Sequence, residues 1–163
     1  MTESYLFGRG RPCLQDRIDI QDTMSSLTFF IDIREFTRAC ELFTEDAVMD
    51  YSQLIEGSSP TRSAKDFLDE GDVVIAGFDA TQHMITNFDV RVDGDTATSR
   101  AHFQAYHWIG SRVWTVWGSY SQQLVRVGKG WRIKYHRCTP FSQAGDLSLI
   151  AEAAVRHVGA GKL

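Results

Sequence analysis

The amino-acid sequence predicts an α+β fold, in which a curled, mostly antiparallel sheet forms a cone-shaped half-barrel covered by N-terminal helices. Up to about residue 76, apolar side chains recur at the three- and four-residue spacing of helices. Beyond residue 80 they alternate with polar ones, as in strands, and the turn signals DGD, GS and GKG separate the alternating runs. Helices followed by antiparallel strands are typical of the α+β class.

The N-terminal half is predicted to contain three helices and one short strand. Apolar spacing indicates a first helix over residues 14–31 and a short second helix over 36–43. The segment EDAVMDYS is typical of a short strand that ends near Tyr51. Ser63, followed three residues later by an acidic side chain, resembles the N-cap of a third helix that ends at about residues 74–76.

The C-terminal half is predicted to form most of the sheet. The strand-like runs cover residues 81–92, 96–109, 112–127 and 130–139. Pro140 is expected to end the last strand, and a final helix is expected over 147–158. Residues 1–13 are expected to be an irregular arm, and residues 14–163 a single domain.

Composition and charge exclude several functional classes. The net charge of −4 over 163 residues, without a basic cluster, disfavours nucleic acid as a partner. No apolar run approaches the roughly 18 residues of a membrane span. The three cysteines are widely spaced, which disfavours a disulfide framework and a CxxC metal site. With no signal-peptide pattern at the N-terminus, a cytoplasmic location is expected.

Strand alternation predicts which side chains share a face of the sheet. His83 is expected to share its face with Ile85 and Asn87, and His107 with Phe103 and Ala105. On the third long strand, Trp117, Ser119 and Ser121 form one set and are expected to line a pocket beneath the helices. The outer face is expected to carry an aromatic-rich patch and to mediate a homodimer or homotrimer. That patch comprises Tyr106, Trp108, Trp114, Val116 and Tyr120.

Asp32 interrupts the apolar run LTFFIDI, where a carboxylate is costly unless it is paired. A histidine is its most productive partner, because the carboxylate orients the ring and stabilises its charged form. His83 is the candidate proton-transfer residue, and Tyr51 supplies a phenol that can donate to a carbonyl oxygen. Other interpretations remain open: His83 as a core histidine, Asp32 as a helix cap, or Asp32 with His83 and His107 as a metal triad.

The motifs IDI, DYS, TQH, YHW and GSYS, in this order, resemble scytalone dehydratase and, more broadly, the SnoaL-like members of the nuclear transport factor 2 fold. The resemblance covers about residues 14–158 and implies a polar pocket without a metal or organic cofactor. The matching positions are Asp32, Tyr51, His83, His107 and Ser119. Two positions differ, because Ile31 replaces a second tyrosine and Ser121 replaces an asparagine.

The resemblance implies a cofactor-independent lyase that acts on a small hydrophobic substrate containing a carbonyl group. His83 would remove a proton next to the carbonyl, and His83 or His107 would protonate the departing hydroxyl. Asp32 would orient one of the two histidines, and the sequence leaves open which one. An isomerase or cyclase would share the proton abstraction but expel nothing. A non-enzymatic binding or assembly domain is a further alternative, since a fold alone does not define a function.

Overall fold

The computed structural model describes residues 13–55 and 57–160. Except for Cys13, the expected N-terminal arm therefore lies outside the described residues. The elements, in chain order, are α1 (Leu14–Asp32), α2 (Phe36–Cys40), β1 (Phe43–Asp50), α3 (Ala64–Ala76), β2 (Ala80–Asp93), β3 (Thr96–Ile109), β4 (Arg112–Val127), β5 (Gly130–Gly145) and α4 (Leu149–Ala160). The predicted α+β class is confirmed.

Within those ranges, the strands form one five-stranded sheet in the order β1-β5-β4-β3-β2. The β2–β3, β3–β4 and β4–β5 pairs are antiparallel, and the β1–β5 pair is parallel. The hairpin turns contain Gly94 and Gly110 at φ of 58° and 59°, a left-handed conformation that glycine adopts without steric cost. The sheet is not closed, so the half-barrel prediction is also confirmed.

The positions of the helices follow from their capping residues and from the apolar faces that they bury. Helix α3 begins after Ser63, whose hydroxyl accepts a hydrogen bond of 3.0 Å from the Asp66 amide, as the sequence predicts. Helix α1 packs along β2, while α3 packs against β1 and α4. The second predicted helix is shorter than expected, because Phe43 begins β1 instead of ending α2. None of the helices in the described ranges combines the length and apolarity needed to cross a membrane.

Burial shows which face of the sheet points toward the helices. On β3 the inner residues include Phe103, Ala105 and His107, as predicted. On β4 the buried set is the even-numbered one, so the expectation for this strand is wrong. Trp117, Ser119 and Ser121 lie on the outer face. The residues of β4 on the inner face, toward the helices, are Trp114, Val116, Gly118, Tyr120 and Gln122. The predicted outer patch therefore loses Trp114, Val116 and Tyr120.

A bulge in β2 removes Asn87 from the face of His83. Thr86 pairs with His102 and Asp89 with Arg100, so two residues of β2 oppose one of β3. Asn87 has a φ of 58°, is exposed, and its side-chain amide lies 3.0 Å from the Nδ1 atom of His102. Because a bulge reverses the alternation beyond it, the expectation that Asn87 faces the pocket is wrong.

Pro140 does not end the last strand. Strand β5 continues to Gly145, with Pro140 paired to Gly118 and an irregularity at the next position. The parallel partner β1 ends at Asp50, opposite Arg137. Beyond that point β5 is an edge strand, where proline removes no required backbone hydrogen bond.

Candidate active site

A carboxylate and an imidazole meet at the junction of α1 and β2. Asp32 is the last residue of α1, and His83 lies on the inner face of β2. The Nδ1 atom of His83 lies 2.7 Å from the Oδ1 atom of Asp32, and the His83 amide donates a 2.7 Å hydrogen bond to Oδ2. The side chains are only 10% and 16% exposed. Asp32 does not cap α2, whose N-cap residue is Glu35, so the capping interpretation is wrong.

Two residues that the sequence did not point to hold the carboxylate in place. Thr81, two positions before His83 on the same strand face, donates a 2.9 Å hydrogen bond to Asp32 Oδ1. The Arg34 guanidinium donates to the Thr81 hydroxyl at 2.7 Å and to the backbone oxygens of Ile31 and Asp32. Arg34 thereby satisfies carbonyls at the end of α1, where a helix carries partial negative charge.

The hydrogen bonds keep Asp32 ionised despite its burial. Burial alone raises the pKa of Asp32, but the hydrogen bonds from His83 and Thr81 and the attraction of the His83 ring outweigh it, and the net pKa is lowered. An ionised carboxylate accepts the Nδ1–H of His83, which fixes the neutral ring in the tautomer with its lone pair on Nε2. The pair therefore presents a base oriented by a carboxylate.

His107 lies beside this pair, deeper in the interior. Its ring meets the edge of the His83 ring at 5.3 Å between centroids and stacks on Trp114 at 4.3 Å. Burial lowers the pKa of His107 to about 3, and the His83 imidazole adds to the effect. The ring is 3% exposed, and no hydrogen-bond partner among the described residues reaches its Nδ1 atom. His107 is therefore neutral at physiological pH.

Tyr51 follows β1 and contacts a different set of side chains. Its hydroxyl lies 3.3 Å from the Nε2 atom of His136, and its ring stacks on Phe67 at 4.5 Å. Tyr120 also hydrogen-bonds to the Tyr51 hydroxyl. Burial raises the pKa of Tyr51 far above its usual value, so the phenol stays protonated. The common pocket of Tyr51 with His83 stays a prediction, because the contacts of the hydroxyl are to His136 and Tyr120.

Tyr120, Gln122 and His136 were not identified as site residues from the sequence. Neighbouring residues on a strand, such as His136 and Arg137, cannot both point inward. His136 is 1% exposed and faces the helices, whereas the Arg137 side chain is 42% exposed. Tyr120 and Gln122 are 4% and 3% exposed. The alternation in SYSQQ, residues 119–123, separates Tyr120 and Gln122 from the two serines. The prediction that the serines lie on the pocket side is wrong.

An open cleft gives access to the Asp32–His83 pair. It has a volume of about 700 Å³ and lies between α1 and β2. Its walls include Asp32 and His83, the apolar side chains of Phe29 and Ile85, and the hydroxyls of α1. Of the five residues predicted to bind substrate, Phe103 lies on the inner face, while the outer-face residues are Asn87, Trp117, Ser119 and Ser121. Ser121 instead lines a cleft of about 560 Å³ on the outer face.

A metal site at Asp32 would need three suitable ligand side chains close together. Among the side chains that the structure describes, which exclude those of residues 70–73 and 157–160, no three from His, Cys, Asp or Glu converge in a way that could hold a metal ion. Asp32, His83 and His107 are neighbours, but they do not form such a group. The geometry of these residues is that of a hydrogen-bonded pair with a third ring packed against it.

Comparison with known proteins identifies relatives of the chain. A family model described as a SnoaL-like domain matches residues 12–137. The chain is 37% identical over 125 residues to the Mycobacterium tuberculosis protein Rv2910c, a match that covers 74% of this chain and 82% of that protein.

Solved structures share the fold. Kfla4162 from Kribbella flavida has a TM-score of 0.76 at 29% identity, covering 84% of this chain and 97% of that one. A scytalone dehydratase-like protein from Novosphingobium aromaticivorans has a TM-score of 0.70 at 20% identity, covering 82% and 89%. At that identity the second similarity supports the fold alone.

Proposed function

Because the chain belongs to the SnoaL-like domain family, we propose that it is a cofactor-independent lyase that uses His83 as its general base. The observation that carries the proposal is the buried 2.7 Å hydrogen bond between His83 Nδ1 and Asp32 Oδ1. A binding module has no need of an imidazole oriented by a carboxylate, whereas proton transfer does. The substrate would be a small hydrophobic compound with a carbonyl group, since Phe29 and Ile85 line the cleft beside the base.

In the proposed reaction, His83 Nε2 removes a proton from the carbon next to the carbonyl. The electron pair of that C–H bond moves toward the carbonyl oxygen and generates an enolate. Asp32 stabilises the imidazolium that forms and keeps the ring in position. The enolate then collapses, the bond to the β-hydroxyl breaks, and the imidazolium returns its proton so that water leaves. A carbon–carbon double bond remains in the product.

The enolate oxygen requires a hydrogen-bond donor, and the neighbouring phenols of Tyr51 and Tyr120 supply one. Burial raises the pKa of both, so each hydroxyl keeps its proton. Donors that are already oriented toward the developing charge lower the barrier, because they need no reorganisation during the reaction. The buried, neutral His107 packs against His83 and fixes the plane of the ring. It is too weak a base to compete for the substrate proton.

The test is exchange of the α-hydrogens of β-tetralone in D₂O, followed by mass spectrometry. The His83→Ala variant should lose about 10²-fold or more of the exchange rate. His102→Ala is the matched control, because His102 lies on the outer face of the sheet and should exchange at the parent rate. Chelators should leave the rate unchanged. Exchange in His83→Ala at the parent rate would refute the general base.

A second assay separates elimination from isomerisation or cyclisation, which begin with the same proton abstraction. A panel of β-hydroxy ketones reports loss of water through the absorbance of the conjugated product. A lyase should form that product at a rate that depends on His83. Exchange of β-tetralone without water loss from any member of the panel would instead favour an isomerase or cyclase.

A further inference from the structure

A row of charged side chains crosses the outer face of the sheet, opposite the face that carries His83. The cross-strand register aligns Asp89 on β2, Arg100 on β3, Ser121 on β4, Arg137 on β5 and Asp50 on β1. An aspartate stands at each end of the row with an arginine next to it, so the small Ser121 lies between two guanidinium side chains. We refer to Arg100, Ser121 and Arg137 as the arginine row.

A cleft of about 560 Å³ opens along the arginine row, and we refer to it as the outer cleft. Every residue that lines it in the described part of the chain is polar or charged. Beside the arginine row, its walls include the hydrogen-bonding side chains of Thr98, Gln123, Tyr135 and Thr139. Such a lining suits a charged, hydroxylated ligand, unlike the hydrophobic compound proposed for the cleft at His83.

The charges around the outer cleft leave an excess of positive charge. Arg91 and Arg100 share the carboxylate of Asp89, at 3.7 Å and 2.7 Å. Arg137 lies 3.5 Å from the carboxylate of Asp50. Two carboxylates therefore face three guanidinium groups, and the surplus attracts an anion. The arginines are far apart in the sequence, so this cluster exists only in the folded chain.

The guanidinium of Arg137 is not fully used by its carboxylate. Asp50 accepts hydrogen bonds from the Ser52 amide and hydroxyl and from the Tyr135 hydroxyl, at 3.1, 2.6 and 3.0 Å. Its 3.5 Å contact with Arg137 Nε is longer than a charged hydrogen bond, and Nε has no hydrogen-bond partner among the described residues although it is shielded from solvent. Because an enclosed donor without a partner is costly, an acceptor bound beside this guanidinium would stabilise the protein.

The spacing of the arginine row suits a tetrahedral oxyanion. Adjacent strands lie about 4.8 Å apart, so the Cα atoms of Arg100 and Arg137 are separated by roughly 10 Å, with Ser121 midway. At that separation two arginine side chains can both reach an anion above Ser121, whose hydroxyl donates from below. Each guanidinium can donate two parallel N–H groups to such an anion. Donors that approach from three directions match the three terminal oxygens of a phosphate group better than the two coplanar oxygens of a carboxylate.

We propose that the arginine row binds the phosphate group of a small hydroxylated phosphate monoester, whose hydroxyls contact the polar walls of the outer cleft. The inference goes beyond the proposed function and does not depend on it, because the arginine row and His83 lie on opposite faces of the sheet. The site is also separate from the aromatic patch predicted for self-association. Trp108 lies eight residues from Arg100 along β3, which is roughly 27 Å in a strand.

Isothermal titration calorimetry at low ionic strength tests the site with ribose 5-phosphate, inorganic phosphate and ribose. We expect ribose 5-phosphate to bind, inorganic phosphate to bind more weakly and ribose not to bind, because the phosphate supplies the charge and the hydroxyls add contacts. Equal affinity for inorganic phosphate and ribose 5-phosphate would overturn the assignment to a monoester. Binding of neither phosphate would overturn the site.

Two substitutions locate the bound phosphate. Arg100→Gln and Arg137→Gln should each weaken the binding of ribose 5-phosphate by about 10–100-fold, because each removes charged hydrogen bonds. Arg100→Gln should fold as the parent does, since its side chain is 66% exposed and surface ion pairs contribute little stability. Arg17→Gln removes the same charge from an exposed position on α1 and is the matched control, with the affinity of the parent. Parent affinity in both cleft variants would overturn the site.

Ser121→Asp tests the arginine row without any ligand. The added carboxylate lies between Arg100 and Arg137 and should replace the bound anion, so ribose 5-phosphate no longer binds. The urea midpoint of Ser121→Asp should also exceed that of Ser119→Asp. Ser119 is the matched position, because it lies on the same face of β4 but is paired in the sheet with a histidine and a threonine. An equal or lower midpoint for Ser121→Asp would mean that the arginines do not attract a charge placed there, and would overturn the inference.

Light scattering at micromolar concentration separates a small ligand from a second copy of the chain. The parent and Arg100→Gln should have the same mass, with or without ribose 5-phosphate. A lower mass for Arg100→Gln would mean that the arginine row pairs with acidic side chains of a second copy, and would overturn the assignment to a small molecule.

Discussion

The Nδ1 atom of His83 and the Oδ1 atom of Asp32 lie 2.7 Å apart, although the two residues are separated by 51 positions in the chain. The contact joins the end of α1 to the beginning of the edge strand β2. Thr81 and the His83 backbone amide donate further hydrogen bonds to the carboxylate. Burial of an unpaired carboxylate would be costly, so each side chain explains the other. The pair is the foundation of the proposed chemistry.

Asp32→Asn should reduce activity less than His83→Ala does. Asparagine keeps one acceptor oxygen, so it can accept from Thr81 or from the His83 amide but not from both, and it removes the charge that stabilises the imidazolium. The imidazole that performs the transfer is still present, so we expect the loss in the β-tetralone exchange rate to stay below the roughly 10²-fold of His83→Ala. Thr81→Val, which removes a hydrogen bond to the same carboxylate, should lose less. An Asp32→Asn variant as inactive as His83→Ala would mean that Asp32 does more than orient the ring.

Tyr51→Phe should impair turnover more than folding. The substitution removes a hydroxyl that contacts His136 Nε2. Loss of one neutral hydrogen bond costs about 1 kcal/mol in the free energy of unfolding, which urea denaturation measures. The exchange rate should fall by about 10-fold or more, as for a lost donor. A large loss of stability with an unchanged rate per folded molecule would assign Tyr51 to the core.

The protein should lose stability as the pH falls below about 6.5. His107 and His136 have a pKa of about 3 in the folded state against 6.5 for a free histidine, so the unfolded chain binds protons that the native state does not. Stability is therefore complete above pH 6.5 and declines toward pH 3, by about 1.4 kcal/mol per pH unit for each ring. Urea denaturation between pH 4 and 6 measures the slope.

The assignment of that slope can be checked by substitution. His107→Gln should lower the slope by about the contribution of one ring, whereas His102→Ala, at an exposed position, should leave it unchanged. An unchanged slope in His107→Gln would mean that this ring takes up a proton in the folded protein.

Gly118→Ala should destabilise the protein and disturb the site. A Cβ atom at this position would overlap the Thr139 carbonyl oxygen and the Phe103 ring, which stacks on Tyr120. Overpacking of this kind typically costs about 1–3 kcal/mol in the free energy of unfolding. Gly130→Ala is the matched control, because nothing lies within 4 Å of its added Cβ. Equal stability of the two variants in urea would show that the strand shifts freely.

We propose that the chain forms a homodimer or homotrimer through the outer face of the sheet. Tyr106 and Trp108 stack there at 5.5 Å, and Trp117 lies on the same face. Light scattering at micromolar concentration should give the mass of a dimer or trimer, and Trp108→Glu should lower it. Val155→Glu adds the same charge on α4, at a side chain that is 72% exposed, and should leave the mass unchanged. A monomeric mass for the parent protein would contradict the proposal.

The sequence was sufficient for the fold class and for pairing Asp32 with a histidine, but it did not decide between His83 and His107. The change from helical spacing to alternation predicted the element order, because each pattern reflects burial of one face of a local structure. Asp32 could be paired with a histidine from the cost of a carboxylate in an apolar run. The parity of β3 correctly grouped Phe103 with His107.

Tertiary structure decided which side of β4 points inward and therefore which polar residues meet. Alternation defines two sets of side chains but does not label them, and in β4 both sets contain aromatic and polar residues, with Trp114 and Tyr120 in one and Trp117 in the other. Which of the two sets points inward is decided by the pairing of β4 with β3 and by the helices that pack on one face of the sheet. Both are contacts between distant parts of the chain. The bulge at Asn87 and the edge position of Pro140 depend on neighbouring strands in the same way. Local pattern therefore determined the elements and the need of Asp32 for a histidine partner. The packing of the sheet determined that this partner is His83 and that Tyr120, Gln122 and His136 point inward.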